Sequence, residues 1–200
     1  MRLIALVALS AAALSLSAPA TYATPLEFVA VLSPSNEIPP ATGSSGTGLA
    51  KIFLDPAAHT IQINVTFSGL TTPDVAAHIH CCLPSPFAPM NVGVSTTMPA
   101  FPGFPLGVTS GTYSSALLSL TDPGTYNPAF VMAQGGIGNA ETALVAGIEN
   151  QETYLNIHTA MFGGGEIRGF LVAPEPGALV LLGAGLVVLA GIGWRRHRRK

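Results

Sequence analysis

Apolar and polar residues alternate in several short segments of the chain, and this alternation is the strongest structural signal in the sequence. The clearest segment runs from His59 to Phe67 and places Ile61, Ile63 and Val65 on the same side as Phe67. A period of two predicts a β-strand with one buried face. Further strand-like segments are separated by Gly, Pro, Asn and Asp clusters: 26–32, 48–54, 75–80, 113–120, 153–159 and 166–172. Short strands with such turns predict an all-β fold, an antiparallel β-sandwich or barrel.

Two segments depart from this pattern. Residues 139–150 form the single helical window, although Gly147 weakens it because glycine disfavours a helix interior. Residues 84–105 contain six prolines and three phenylalanines. Proline removes donors from a sheet, so we predict a long loop here, with aromatic side chains available to pack on the sandwich. A loop of this length is either functional or merely mobile, and we favour the mobile loop.

The N-terminal end is typical of an export signal. Met1 and Arg2 precede an apolar run from residue 3 to residue 16, and small residues follow it. This is the order of a secretory signal peptide, which we expect to be cleaved after Ala23, with Ala20 as the second choice. The apolar run is shorter than the roughly 20 residues that span a bilayer. Residues 1–23 are therefore predicted to be a signal peptide that signal peptidase removes.

The C-terminal end predicts a transmembrane helix. Residues 177–194 contain no charge, end on Trp194, and precede the basic cluster 195–200. An apolar helix of this length approaches the hydrocarbon thickness of about 30 Å. The basic cluster predicts a cytoplasmic C-terminus. The remaining segment, 24–173, is then a single domain outside the inner membrane.

Charge excludes several classes of function. Hydrophobic residues make up 48% of the chain and charged residues 9%, against about 25% charged residues in ordinary soluble domains. Segment 24–173 holds nine acidic residues and only two basic ones, Lys51 and Arg168. Such a domain does not bind nucleic acid through its phosphates. Neither a nucleotide-binding loop nor a Ser-His-Asp or paired-carboxylate pattern stands out, which favours a role without catalysis.

The C-terminal end resembles a known sorting signal. Pro174, Glu175 and Pro176, the apolar segment 177–194 and the Arg-rich end occur in the order of the PEP-CTERM motif. The resemblance covers residues 174–200. It implies export by a Gram-negative bacterium that makes extracellular polysaccharide, and recognition by an exosortase, a membrane cysteine protease that cleaves near the motif. The helix would then tether the domain in the membrane before processing, and the product would face the periplasm, stay at the cell surface or be secreted.

The middle segment resembles the CHRD domain, first named in chordin. Five fragments carry the resemblance in order: 28–30 with 36–40, Gly48, 77–80, 154–159 and 165–169. The family implies an immunoglobulin-like β-sandwich. Its layout is similar to that of Cu/Zn superoxide dismutase, in which a His-x-His strand and a later His bind copper near an Arg.

Three histidines form the candidate metal site. His78 and His80 are two residues apart, so on a strand they point to one face, roughly 6.5–7 Å apart along the chain. The resemblance places His158 on a strand near them as a third ligand. Imidazole ligands suit copper and zinc. The alternative is a hydrogen-bonded polar face without a metal.

Two cysteines follow these histidines, at a position where the family usually has Gly. Cys81 and Cys82 are the only cysteines of the chain, which we predict to be exported to an oxidising compartment. A disulfide between the two is the first expectation. Additional sulfur ligands beside His78 and His80, a cross-link between two chains, and a buried reduced pair remain open, because spacing does not decide connectivity.

Glu166 and Arg168 alternate onto one face of the last strand. Arg168 is expected either to hold an anion beside the metal or to form an ion pair with Glu166 or another carboxylate. We favour the structural ion pair.

The leading functional hypothesis is a non-enzymatic module of the cell surface or extracellular matrix. It predicts contact with extracellular polysaccharide or surface proteins. The alternative is a copper or zinc protein for redox chemistry or metal storage, using His78, His80 and His158. A weaker third hypothesis is a protein–protein signalling module, which rests on analogy with chordin alone.

Overall fold

The computed structural model describes residues 24–174 of the chain. Its elements follow in this order: β1 (Leu26–Leu32), β2 (Thr47–Asp55), β3 (Thr60–Ser68), β4 (Asp74–His80), β5 (Gly111–Ser114), β6 (Leu118–Ser119), α1 (Pro128–Gln134), α2 (Ile137–Glu149), β7 (Tyr154–Thr159) and β8 (Ile167–Phe170). Short 3-10 helices cover Pro34–Asn36 and Pro123–Thr125. The predicted signal peptide 1–23 and the predicted helix 177–194 lie outside the described residues. Between residues 24 and 174, every helix is too short or too polar to cross a bilayer.

The strands form two antiparallel sheets. The larger sheet has the order β1-β2-β3-β5, and β6 also pairs with β3. The smaller sheet has the order β4-β7-β8. Isolated bridges from Val29 to Val172 and from Ser33 to Arg168 connect the two sheets along β1. The mostly β architecture fits the predicted sandwich class, with two α-helices added to it.

The core lies on the alternating apolar face that the sequence predicts. Ile61, Ile63 and Val65 of β3 are buried, together with Ile52 and Leu54 of β2. The two strands pair Ile52 with Ile63 and Leu54 with Ile61. Full burial of one such side chain stabilises a fold by about 1.5–3 kcal/mol, so register and burial reinforce each other.

The segment predicted as one strand from 113 to 120 is divided. β5 pairs with one end of β3 and β6 with the other. Between them, the Ser115 hydroxyl accepts a hydrogen bond from the Ile63 backbone N–H at 2.9 Å, and the Ile63 carbonyl accepts one from Ser115 N–H. A side chain thus replaces part of the regular ladder, and this replacement divides the strand.

The helix α2 confirms the predicted helical window, whereas α1 was not predicted. The Asn127 side chain caps α1 by accepting from Ala129 N–H at 3.0 Å, and Pro128 occupies the first turn. Gly135 ends the helix with a φ of 79°. These cap signals are present in the sequence, but the helix they enclose is only seven residues long.

The proline-rich segment 84–105 is a loop, as predicted, and carries isolated bridges rather than strands. Phe101 and Phe104 are buried, and both rings contact the Tyr113 ring, at 6.0 Å and 5.1 Å between centroids. Phe87 is 46% exposed. The Phe87 ring nevertheless contacts the Phe170 ring of β8, with centroids 5.3 Å apart, so the expected packing of the loop aromatics on the sandwich holds for all three phenylalanines.

Candidate functional site

The candidate site lies on the face of the smaller sheet that points away from the core. In β7, Leu155 and Ile157 belong to the hydrophobic core, whereas Tyr154, Asn156 and His158 alternate with them. All six residues of β7 are nevertheless buried. The outward face is therefore covered by loops, and polar side chains on it are removed from solvent.

Strand register brings three histidines together on this face. β4 and β7 pair His78 with Asn156 and Ala76 with His158, so the two histidines are diagonal neighbours. The His78 ring centroid lies 4.7 Å from the His80 ring centroid and 4.6 Å from the His158 ring centroid. One ring nitrogen from each histidine lies within 4.8 Å of the others. The three predicted ligands thus form one cluster.

Backbone carbonyls fix two of these rings. His80 Nδ1 lies 2.7 Å from the Val92 carbonyl oxygen, and His158 Nδ1 lies 3.0 Å from that of Gly163. A carbonyl only accepts, so each Nδ1 carries the proton and each Nε2 keeps its lone pair. Those two Nε2 atoms and His78 Nδ1 are buried without a hydrogen-bond partner among the described residues.

Burial also keeps the three rings neutral. It lowers the pKa of His78 to about 3, with help from the neighbouring His158 and His80. Burial lowers the pKa of His80 to about 4 and also lowers the pKa of His158. Neutral imidazole is the form that binds a metal ion.

The Tyr154 ring stacks on one face of the His80 ring, and the Arg168 guanidinium stacks on Tyr154 in turn. The Tyr154 ring stacks on the His80 ring with centroids 4.6 Å apart and planes 10° apart. The Arg168 guanidinium carbon lies 4.5 Å from the Tyr154 ring centroid. The Tyr154 hydroxyl also accepts a hydrogen bond from Val92 N–H at 3.2 Å, so Tyr154 and His80 hold the same residue of the proline-rich loop.

Arg168 is 1% exposed and is held by protein groups. Its Nη1 donates to Asn91 Oδ1 at 2.9 Å, and its Nε donates to the Asn36 carbonyl. The nearest carboxylate is that of Glu37, with Oε2 at 4.0 Å from Nε. Arg168 therefore has the buried structural surroundings that we favoured, but its ion-pair partner is Glu37 rather than Glu166.

Glu166 forms a different set of contacts. Its Oε1 accepts hydrogen bonds from the Ser44 hydroxyl at 2.7 Å and from Thr71 N–H at 2.6 Å, and its Oε2 accepts one from the Thr159 hydroxyl at 2.6 Å. These bonds connect two loops to the end of β7. The carboxylate is fully buried, so it acts as a structural link.

Glu37 and Asn156 are site residues that sequence reasoning missed. Burial raises the pKa of Glu37 to about 7, although the Arg168 charge opposes this. Glu37 Oε1 and Asn156 Oδ1 are both buried without a partner among the described residues. A Cβ built on Gly165 would lie 2.7 Å from each oxygen, so glycine at this position leaves them room. The alternation of Tyr154, Asn156 and His158 was the available signal for Asn156.

Cys81 and Cys82 form a disulfide directly after His80. Both sulfur atoms point toward α2, at 3.7 Å and 3.4 Å from the Ala143 carbonyl oxygen. Disulfide sulfurs are not thiolates and do not act as the soft ligands that the sequence left open.

The described domain is thus a mostly β protein with a buried histidine cluster and an adjacent disulfide. The CHRD domain family model matches residues 28–171, and the chain belongs to this family. The PEP-CTERM protein-sorting motif matches residues 172–199 and supports export and processing by an exosortase. No curated protein and no solved structure matches the sequence at a significant level.

Proposed function

We propose that this exported CHRD domain is a metal-binding module of the cell surface that holds one copper or zinc ion on His78, His80 and His158. The observation that carries the proposal is the convergence of three buried, neutral imidazoles, whose ring nitrogens come within 4.8 Å of one another. His78 Nδ1, His80 Nε2 and His158 Nε2 have no hydrogen-bond partner in the described part of the chain.

The donor set fits a metal better than a simple polar face. Leaving a buried acceptor without a partner costs about 1–3 kcal/mol per group, so three such atoms in one place require an explanation. A bound cation would accept the lone pairs of His80 Nε2 and His158 Nε2 together with that of one unprotonated ring nitrogen of His78. Carbonyl oxygens on the far nitrogens of His80 and His158 are the usual outer partners of metal-binding imidazoles.

Three imidazoles define the chemistry such a site offers. Copper and zinc both favour imidazole nitrogen, and three protein ligands leave one coordination position for water or another small ligand. A cavity of about 460 Å³ borders the loop that binds His158, and its lining includes Glu37 and residues 163–165. The arrangement supports metal storage, or redox chemistry with copper.

The sorting motif sets the location in which this module works. Export followed by exosortase processing would present the metal site outside the inner membrane. A non-enzymatic role in the surface or matrix is compatible with a bound metal, and contact with polysaccharide or surface proteins remains a prediction.

Metal content of the exported chain, purified without a histidine tag, tests the proposal. After incubation with copper or zinc and removal of free metal, we expect about one ion per wild-type chain. His78→Ala and His158→Ala should each abolish this stoichiometry. His59→Ala is the matched control, because His59 is 57% exposed and pairs with Glu141. Equal metal content in wild type and His158→Ala would refute the proposal.

A further inference from the structure

We propose that the Cys81–Cys82 disulfide is a thiol–disulfide exchange site that sets the metal affinity of the histidine cluster. The inference rests on the proposed metal binding and adds a second chemical site to it. The reacting partner is a small dithiol outside the inner membrane.

The first argument is the position of the disulfide in the hydrogen-bond pattern. Cys81 N–H donates to the Gly93 carbonyl at 3.1 Å, and His80 Nδ1 donates to the neighbouring Val92 carbonyl at 2.7 Å. Residues 80–81 and 92–93 are therefore held together by two adjacent contacts. A movement of Cys81 is transmitted to the carbonyl that orients His80.

The second argument is the space around the sulfur atoms. A Cβ built on Gly147 of α2 would lie 2.7 Å from Cys81 Sγ, 3.1 Å from Cys82 Sγ and 3.1 Å from Thr153 Cγ2. The sulfurs thus fill the volume that the missing side chain of Gly147 leaves free. Two thiols stand farther apart than two bonded sulfurs, because nonbonded heavy atoms meet at roughly 3.5–4.0 Å. Reduction therefore displaces either α2 or the end of β4, which carries His80.

The exchange reaction begins at Cys82, because its side chain is partly exposed whereas Cys81 is buried. A thiolate of the dithiol attacks Cys82 Sγ, forms a mixed disulfide and releases Cys81 as a thiolate that takes up a proton. The second thiol of the same molecule then displaces Cys82. The protein gains two thiols, and the dithiol becomes a cyclic disulfide.

The disulfide form should bind the metal more tightly than the reduced form. Disturbing an outer hydrogen-bond partner of a metal-binding histidine lowers affinity by about 10–100-fold, and reduction disturbs the partner of His80. Coupling between two sites is reciprocal. Bound metal should therefore shift the thiol–disulfide equilibrium toward the disulfide by the same factor.

Zinc titration of the exported chain tests this coupling, because zinc does not oxidise thiols. We expect the dissociation constant for zinc to rise about 10–100-fold when the disulfide is reduced. A Cys81→Ala/Cys82→Ala variant controls for zinc taken up by the reductant, and its affinity should not respond to it. In the reciprocal measurement, zinc should lower the reduced fraction of the wild type more than that of His158→Ala at the same ratio of reduced to oxidised dithiothreitol, because the variant shares any effect of zinc on the reductant.

Different results separate the two proposals. If the oxidised chain binds no zinc, the metal-binding proposal fails. If it binds zinc and reduction leaves the affinity unchanged or strengthens it, the coupling proposed here is refuted. Hydrogen exchange of the metal-free chain tests the predicted displacement independently. Reduction should accelerate exchange of the Cys81 amide, which donates to the Gly93 carbonyl, and of the Ser95 amide, which donates to the Ile79 carbonyl of β4. Exchange of the Ile63 amide in the core strand β3 should not change. Unchanged exchange of Cys81 would overturn the inference.

Discussion

Replacing Glu37 by glutamine tests whether its buried carboxyl takes up a proton in the native state. Burial raises the pKa of Glu37 from 4.5 to about 7, against the opposing charge of Arg168. Between these values the native protein binds more protons at Glu37 than the unfolded chain does. The contribution of Glu37 to stability is therefore complete below about pH 4.5 and is lost as the pH rises to about 7.

The size of this contribution to the free energy of unfolding follows from the difference between the native and unfolded pKa of Glu37. Each unit of difference between native and unfolded pKa corresponds to about 1.4 kcal/mol, so the full window is worth roughly 3 kcal/mol. Glu37→Gln keeps a neutral side chain of similar shape at every pH. Between pH 4.5 and pH 7.5, the free energy of unfolding of the variant minus that of the wild type should therefore increase by up to roughly 3 kcal/mol.

Urea unfolding followed by far-ultraviolet circular dichroism measures this difference. The comparison at each pH cancels the titration of the histidine cluster and of Asp74, which both chains share. Glu27→Gln is the control, because it removes a carboxylate from the exposed ion pair with Lys51, worth only about 0.2–1 kcal/mol. Parallel stability profiles for wild type and Glu37→Gln would show that Glu37 is ionised in the native state and would refute the reasoning.

Three further substitutions test the packing beside the disulfide, in the core and around Glu166. Gly147→Ala should lower the melting temperature in calorimetry, because the new Cβ would lie 2.7 Å from Cys81 Sγ. Overpacking costs about 1–3 kcal/mol, which exceeds the gain of about 1 kcal/mol from replacing glycine in a helix. A higher melting temperature would contradict this expectation. Phe104→Ala should lower the free energy of unfolding in urea by about 3–5 kcal/mol, and a loss below 1 kcal/mol would show that the loop contributes no core. Thr159→Val removes the hydroxyl that donates to Glu166 and should lower the free energy of unfolding by about 1–3 kcal/mol in the same assay. Thr121→Val is the control, because Thr121 is exposed, and it should change stability little.

The strands were predictable because burial of one face imposes a period of two on the sequence. β1 begins and ends where the sequence indicates, and β2, β3, β4 and β7 do so within one residue at either end. The divided strand β5–β6 was not predictable, since a hydroxyl of Ser115 replaces part of the ladder there. The alternation of apolar and polar residues does not show where a side-chain hydroxyl takes the place of a backbone hydrogen-bond partner.

The histidine cluster was predictable only in part. Spacing alone places His78 and His80 on one face, but His158 came from the family resemblance, because strand pairing across about eighty residues has no local signal. The carbonyls that orient the rings, those of Val92 and Gly163, carry no side-chain signature at all. The partner of Arg168 was missed for a related reason: Glu37 lies before β2, far from Arg168 in sequence, and only the fold brings them together.

The loops over the smaller sheet explain why the polar face is buried. Histidine, asparagine and arginine side chains on an exposed sheet face would be hydrated without cost, whereas burial demands a partner for each polar atom. The proline-rich loop supplies several of these partners: Val92 binds His80 and Tyr154, and Asn91 joins Arg168 to the Ile38 carbonyl. These contacts hold the middle of residues 84–105 in place, in contrast to the mobile loop that we favoured from the sequence. Proline restricts the unfolded chain, so a loop rich in proline loses less entropy when it is fixed over the site. The proline-rich loop is best understood as part of the cover over the site, and it orients His80 through the Val92 carbonyl.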